Sequence, residues 1–233
     1  MARRRSGAGS GLSRFETILG FCYLPSYFFL LPLLLEAIFS AVGVRLTDLT
    51  LNLAYYCINF IVILLIFHRF LLDALRRIQI WDFVQAVILG FVFYYALSWL
   101  VSFLILRVSP DLQNPNNQAV DVLTAAGGLP MTLCVVLLAP VVEESLMRGL
   151  IFGTIRPHSR LAAYLVSVFV FAAMHLWQYL LSESPLTLLL SFLQYIPGGV
   201  ALAWTYEKAD SIWGSVLLHC AINAVALGVL SLI

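Results

Sequence analysis

Apolar residues along this chain come in long runs, broken by short clusters of charged, Pro and Asn residues. A helix needs about 20 apolar residues to cross a bilayer, and cutting the chain at those clusters leaves seven candidates. They cover approximately residues 17–43, 51–68, 81–106, 130–155, 160–181, 185–206 and 211–232. The stretch D-L-Q-N-P-N-N-Q, Asp111 to Gln118, reads as a loop. R-P-H-S-R (Arg156 to Arg160) and S-E-S-P (Ser182 to Pro185) read as tight turns. The pattern predicts an all-α fold, a polytopic transmembrane helical bundle of about seven to eight spans. It forms one domain, residues 17–233, behind a basic and disordered N-terminal tail, residues 1–16.

Composition agrees, with 62% hydrophobic residues against 11% charged and a mean hydropathy of +0.97, where soluble domains are about a quarter charged. A net charge of +1 and the lack of a basic stripe with interleaved aromatics exclude nucleic acid as a partner. Cys22, Cys57, Cys134 and Cys220 are scattered without C-x-x-C spacing and read as small core residues. Placing the N-terminus in the cytoplasm puts Arg3, Arg4, Arg5, Arg14, Arg69, Arg76, Arg77, Arg156, Arg160 and Lys208 inside, against Arg45 and Arg107 outside. Such a bias sets orientation. The membrane is the plasma membrane in a prokaryote and the endoplasmic reticulum in a eukaryote.

Ionisable residues inside a span are costly and mark function. Glu143, Glu144 and Arg148 lie in the fourth candidate, His175 in the fifth, and His219 with Asn223 in the seventh. Measured from the predicted cytoplasmic ends at 1.5 Å per residue, they lie roughly 18 Å deep (Glu143), 22 Å (His175), 13 Å (His219) and 18 Å (Asn223). Residues four apart share a helix face, so Glu144 faces Arg148, Phe171 faces His175, and His219 faces Asn223. Glu143 points elsewhere and is left as an unpaired carboxylate in low dielectric, the setting of a general base. A carboxylate to activate water, a histidine to position it or protonate a leaving amine, and a His–Asn pair to stabilise an oxyanion make a hydrolytic set. The alternative is a metal: Glu143, His175 and His219 with an open fourth position are also an acceptable zinc set. H-E-x-x-H, G-x-S-x-G and paired membrane aspartates with G-x-G-D are all missing, which sets aside zincin, serine and aspartyl routes.

E-E-S-L-M-R (Glu143 to Arg148), F-A-A-M-H (Phe171 to His175) and H-C-A-I-N (His219 to Asn223) match E-E-x-x-x-R, F-x-x-x-H and H-x-x-x-N in order. Over roughly residues 120–227 the chain resembles the CAAX prenyl protease and bacteriocin-processing family. The resemblance implies an intramembrane endopeptidase with a cavity opening to the cytoplasmic side and leaflet, acting on a membrane-associated or lipid-modified (CAAX-type) protein or peptide near its C-terminus. By motif position Glu143 resembles the water-activating glutamate, His175 its assistant, and His219 with Asn223 the oxyanion pair, while Glu144 and Arg148 hold the site together. The family has been described both as metalloproteases and as glutamate-dependent, so zinc stays open as the one cofactor.

Two other classes use the same residues. Glu and His chains also relay protons in transporters, although no internal repeat is visible, and a scaffold or immunity protein would keep the polar core for packing. Glu36 is a further intramembrane carboxylate, read as facing a cavity or a neighbouring helix and given no role. His68 and His158 read as solvated residues of cytoplasmic joints.

Overall fold

The computed structural model describes residues 11–43 and 47–229. Its described residues form helices and no strand. The chain runs through α1 (Arg14–Ala41), α2 (Asp48–Arg76), α3 (Ile80–Val108), α4 (Pro115–Ile155), α5 (Arg160–Tyr179) and α6 (Pro185–Ala209), each long and apolar enough to cross a membrane. A shorter apolar helix, α7 (Ile212–Ala226), follows. All seven candidates have a counterpart, and the polytopic helical bundle is borne out. Large apolar side chains such as Leu65, Trp99, Leu129 and Phe169 point outward, more than 60% exposed, as lipid requires.

Several helix boundaries differ from the expected ones, each for a local chemical reason. Ser13 accepts from the Glu16 N–H and the Glu16 carboxylate accepts from the Ser13 N–H, a capping box that starts α1 at Arg14. The expected tail therefore ends earlier than residue 16, and its residues 1–10 lie outside the described residues. Helix α2 runs past the expected end at 68, so His68 is an exposed helical residue rather than part of a joint. Asn114 caps α4 by accepting from the Asn116 and Asn117 N–H groups, which makes the second half of the expected loop helical. Gly128 then breaks α4 with φ +56°, a conformation that favours glycine. The span beyond that kink is the one read from the sequence as 130–155.

The two ends of the bundle differ. At one end the helical ladder of α2 is interrupted at Phe67, and the Phe70 N–H donates to the buried Glu16 carboxylate at 3.0 Å. Ser211 Oγ donates to the Ala74 carbonyl and Trp213 Nε1 to the Leu71 carbonyl, tying α7 to α2. Arg156 and Arg160 pair with Glu207 there. This end carries Arg14, Arg69, Arg76, Arg77, Arg156, Arg160 and Lys208. The other is formed by residues 42–43, 47–48, 109–114, 180–184 and 227.

Two expectations about single residues fail. Cys134 is buried and Cys220 half-buried, but Cys22 and Cys57 are exposed on the outer face of the bundle, because a thiol is apolar enough to face lipid. Glu36 is exposed as well, about one and a half turns from the end of α1. A carboxylate so near a span end can reach the headgroup layer, so it needs neither cavity nor neighbouring helix.

Candidate active site

Within α4 two π-helical turns, Cys134–Leu138 and Ser145–Phe152, flank a regular turn, Ala139–Glu144, that carries both glutamates. The cause of part of this is local. In the first wide turn the Ala139 N–H donates to the Cys134 carbonyl, five residues back. The next donor in that register would be residue 140, and Pro140 has no N–H. The Val135 carbonyl is thereby free, and it accepts from Asn223 Nδ2 of α7 at 2.9 Å. Ser145 Oγ donates to the Val141 carbonyl at 2.7 Å in the same distorted region.

Behind the site lies a buried ionic knot. Arg148 and Glu144, both without solvent exposure, pair at 2.9 Å. Arg148 Nη2 donates to the Gly199 carbonyl at 3.0 Å, and its guanidinium lies 4.5 Å from the centre of the Phe171 ring. Gly199 also lies where α5 and α6 approach tightly: a Cβ there would stand 2.9 Å from Val168 Cγ1. Glu144 Oε1 also accepts from His219 Nδ1 at 2.9 Å. Phe171 packs edge-on against both His175 and His219, and its carbonyl accepts from His175 Nδ1 at 2.7 Å. Because a carbonyl can only accept, Nδ1 carries hydrogen and Nε2 of a neutral His175 presents a lone pair.

Glu143 stands in front of this knot. Its Oε2 has no hydrogen-bond partner among the described residues, although the side chain is buried. His175 Nε2 lies 3.8 Å and His219 Nε2 3.9 Å from that oxygen. Glu143, His175, His219 and Asn223 all line one cavity of about 1270 Å3, and Glu144 and Arg148 do not. The structure thus separates the predicted reacting groups from the predicted supporting pair.

The same atoms decide whether the zinc set can form. Among the described residues no group of three or more His, Cys, Asp and Glu side chains is arranged to hold a metal ion. The two separations from Glu143 are also wider than the roughly 3.4 Å between ligand atoms sharing a tetrahedral zinc with bonds near 2.1 Å. As arranged, Glu143, His175 and His219 do not fit zinc.

One residue of the site escaped the sequence reading. Tyr195 of α6 stacks on His175 with ring centres 4.3 Å apart. Its hydroxyl accepts from Asn116 Nδ2 at 3.0 Å and donates to Asn117 Oδ1 at 3.1 Å. No motif marks it; the only signal was a polar ring in an apolar span just before Pro197.

Fold and site together define a polytopic helical membrane protein with a buried Glu/His/Arg cluster at the floor of a cavity. Residues 125–225 match the family model described as type II CAAX prenyl endopeptidase Rce1-like. The resemblance carried by the three motifs is borne out by that match, and the family is one of CAAX-type intramembrane proteases. No curated protein and no solved structure matches the chain.

Proposed function

We propose that this protein is an intramembrane endopeptidase in which Glu143 activates water against a peptide bond near the C-terminus of a membrane-associated or lipid-modified, CAAX-type substrate. The observation that carries the proposal is the unpartnered Glu143 oxygen facing two histidine Nε2 atoms across less than 4 Å on a cavity wall. A water held there donates one hydrogen to Glu143 and one to the His175 lone pair. As its oxygen attacks the scissile carbonyl, Glu143 takes the proton, and the leaving amine receives it as the C–N bond breaks.

Oxyanion stabilisation falls to His219 and Asn223. His219 Nδ1 lies against Glu144, which leaves Nε2 as the ring nitrogen that faces the substrate. Asn223 holds the Val135 carbonyl with one amide hydrogen and keeps the other for the substrate. The enzyme is a multi-pass protein with its N-terminus in the cytoplasm, acts within the lipid bilayer, and takes no nucleic acid.

Purified, detergent-solubilised protein should cleave a fluorogenic, lipid-modified C-terminal peptide. In Glu143→Gln, nearly isosteric but unable to act as a base, turnover should fall by about 10^3-fold with an unchanged melting temperature. Chelator should leave the wild type active. Loss of wild-type turnover with chelator, restored by zinc, would replace this reading by a metal-dependent one.

A further inference from the structure

His175 needs support that its own helix does not give. It lies in the last regular turn of α5, and the next residue, Leu176, already departs from helical angles at φ −121° and ψ −13°. The hydrogen bond from Nδ1 to the Phe171 carbonyl chooses the tautomer, but one bond at one atom leaves the ring free to pivot about it. Two aromatic neighbours remove that freedom. The Phe171 ring meets the imidazole edge-on at 4.8 Å and is itself held against the Arg148 guanidinium. Tyr195 of α6 lies nearly parallel to the imidazole, with 22° between the two planes, so it sets the plane in which the Nε2 lone pair points.

Tyr195 is in turn tied to another helix. Its hydroxyl accepts from Asn116 and donates to Asn117, and the adjacent Gln194 accepts from Asn114 Nδ2 at 2.8 Å. Asn114 is buried and caps α4. Helix α4 therefore reaches the site twice. Beyond the Gly128 kink it presents Glu143 directly, 3.8 Å from His175 Nε2, and before the kink its first turn fixes the same imidazole through Tyr195. We propose that Tyr195 is a positioning residue of the reaction: its ring fixes the plane of His175, and its hydroxyl holds that ring to Asn116 and Asn117, so that one helix sets both the base and the orientation of its partner. The part of His175 in water activation rests on the protease reading; the fixing of its ring does not.

Kinetics on the purified full chain test the first half. Tyr195→Leu loses ring and hydroxyl, and should keep KM for the cleaved peptide within twofold while kcat falls by about 10^2-fold, the scale of a misplacement of about 1 Å. Tyr195→Phe keeps the ring and should lose only about three- to tenfold in kcat, the worth of one hydrogen bond. Asn116→Ala should lower kcat by as much as Tyr195→Phe does, and adding it to Tyr195→Phe should lower kcat no further. A residue needed only for packing would lower the melting temperature and leave kcat of the folded protein unchanged. That result, or additive losses in the double variant, overturns the proposal. Should Tyr195→Leu not fold, the Tyr195→Phe and Asn116→Ala pair decides alone.

A second readout needs no cleavage. Nitrogen NMR on protein with isotope-labelled histidine follows the His175 ring, its signals assigned by their loss in His175→Gln. Wild type and Tyr195→Phe should show one neutral tautomer, with hydrogen on Nδ1. In Tyr195→Leu the two tautomers should mix, because a ring free to turn leaves the Phe171 carbonyl. An imidazole unchanged in Tyr195→Leu overturns the proposal. If the tautomers behave as stated but wild type cleaves no peptide, the protease reading fails and the positioning of His175 stands.

Discussion

Arg148 is wholly buried between the Glu144 carboxylate, the Gly199 carbonyl and the Phe171 ring. Removing one partner of such a pair leaves a charge without compensation, so Arg148→Met should cost about 3–5 kcal/mol of stability. Arg148→Lys should fall between, because one ammonium on a flexible stem cannot reproduce the fork that spans carboxylate and carbonyl. Thermal unfolding in detergent checks both, and a Met variant as stable as the parent would show that the pair contributes nothing. The i,i+4 spacing made this pair legible in the sequence, as it did the separate direction of Glu143. Spacing says nothing about partners on other helices. Tyr195 against His175 and Glu16 under Phe70 were invisible because each depends on how two distant helices come together.

Helix α4 is where a regular-helix reading went furthest astray, and its irregularities set the site. Pro140→Ala restores the N–H that the wide turn lacks and a better helix former besides. It should therefore leave the melting temperature unchanged or higher, while Asn223 loses exclusive use of the Val135 carbonyl and kcat drops by about tenfold, on the scale of a misdirected oxyanion donor. Unaltered kcat in a folded variant would mean that the proline does not position Asn223. On α6, Gly199→Ala pushes a methyl against Val168, whose backbone Cα is 3.3 Å from the new atom. The two helices must separate, at a cost of about 1–3 kcal/mol, measurable as a lower melting temperature. Apolar run length located every span, but kinks and π-helical turns left no trace in it. The positive φ of Gly128 kinks α4, while the missing Cβ of Gly199 lets α6 pack closely on α5.

At the scale of the whole molecule the two ends of the bundle differ in the side chains they gather. The arginine-rich end gathers around Glu207 of α6, which accepts from Arg156, from Arg160 at 2.8 Å and from the Tyr164 hydroxyl at 2.8 Å. Its side chain is mostly buried while both arginines are partly exposed, so the network is worth more than a surface pair and less than a sealed one. None of these four residues lines the cavity. Glu207→Gln keeps shape and hydrogen-bonding capacity but removes the charge that holds two guanidiniums together. It should lower stability by about 1–2 kcal/mol while leaving KM and kcat for the cleaved peptide within twofold. Neutralising Asp121, which lines the cavity, should do the opposite, altering KM for the cleaved peptide with no change in melting temperature. Melting curves and steady-state kinetics on the two variants side by side decide the matter. A Glu207→Gln protein with altered KM would mean that the two ends are mechanically coupled through α6, whose Gly199 carbonyl already holds Arg148 behind the site.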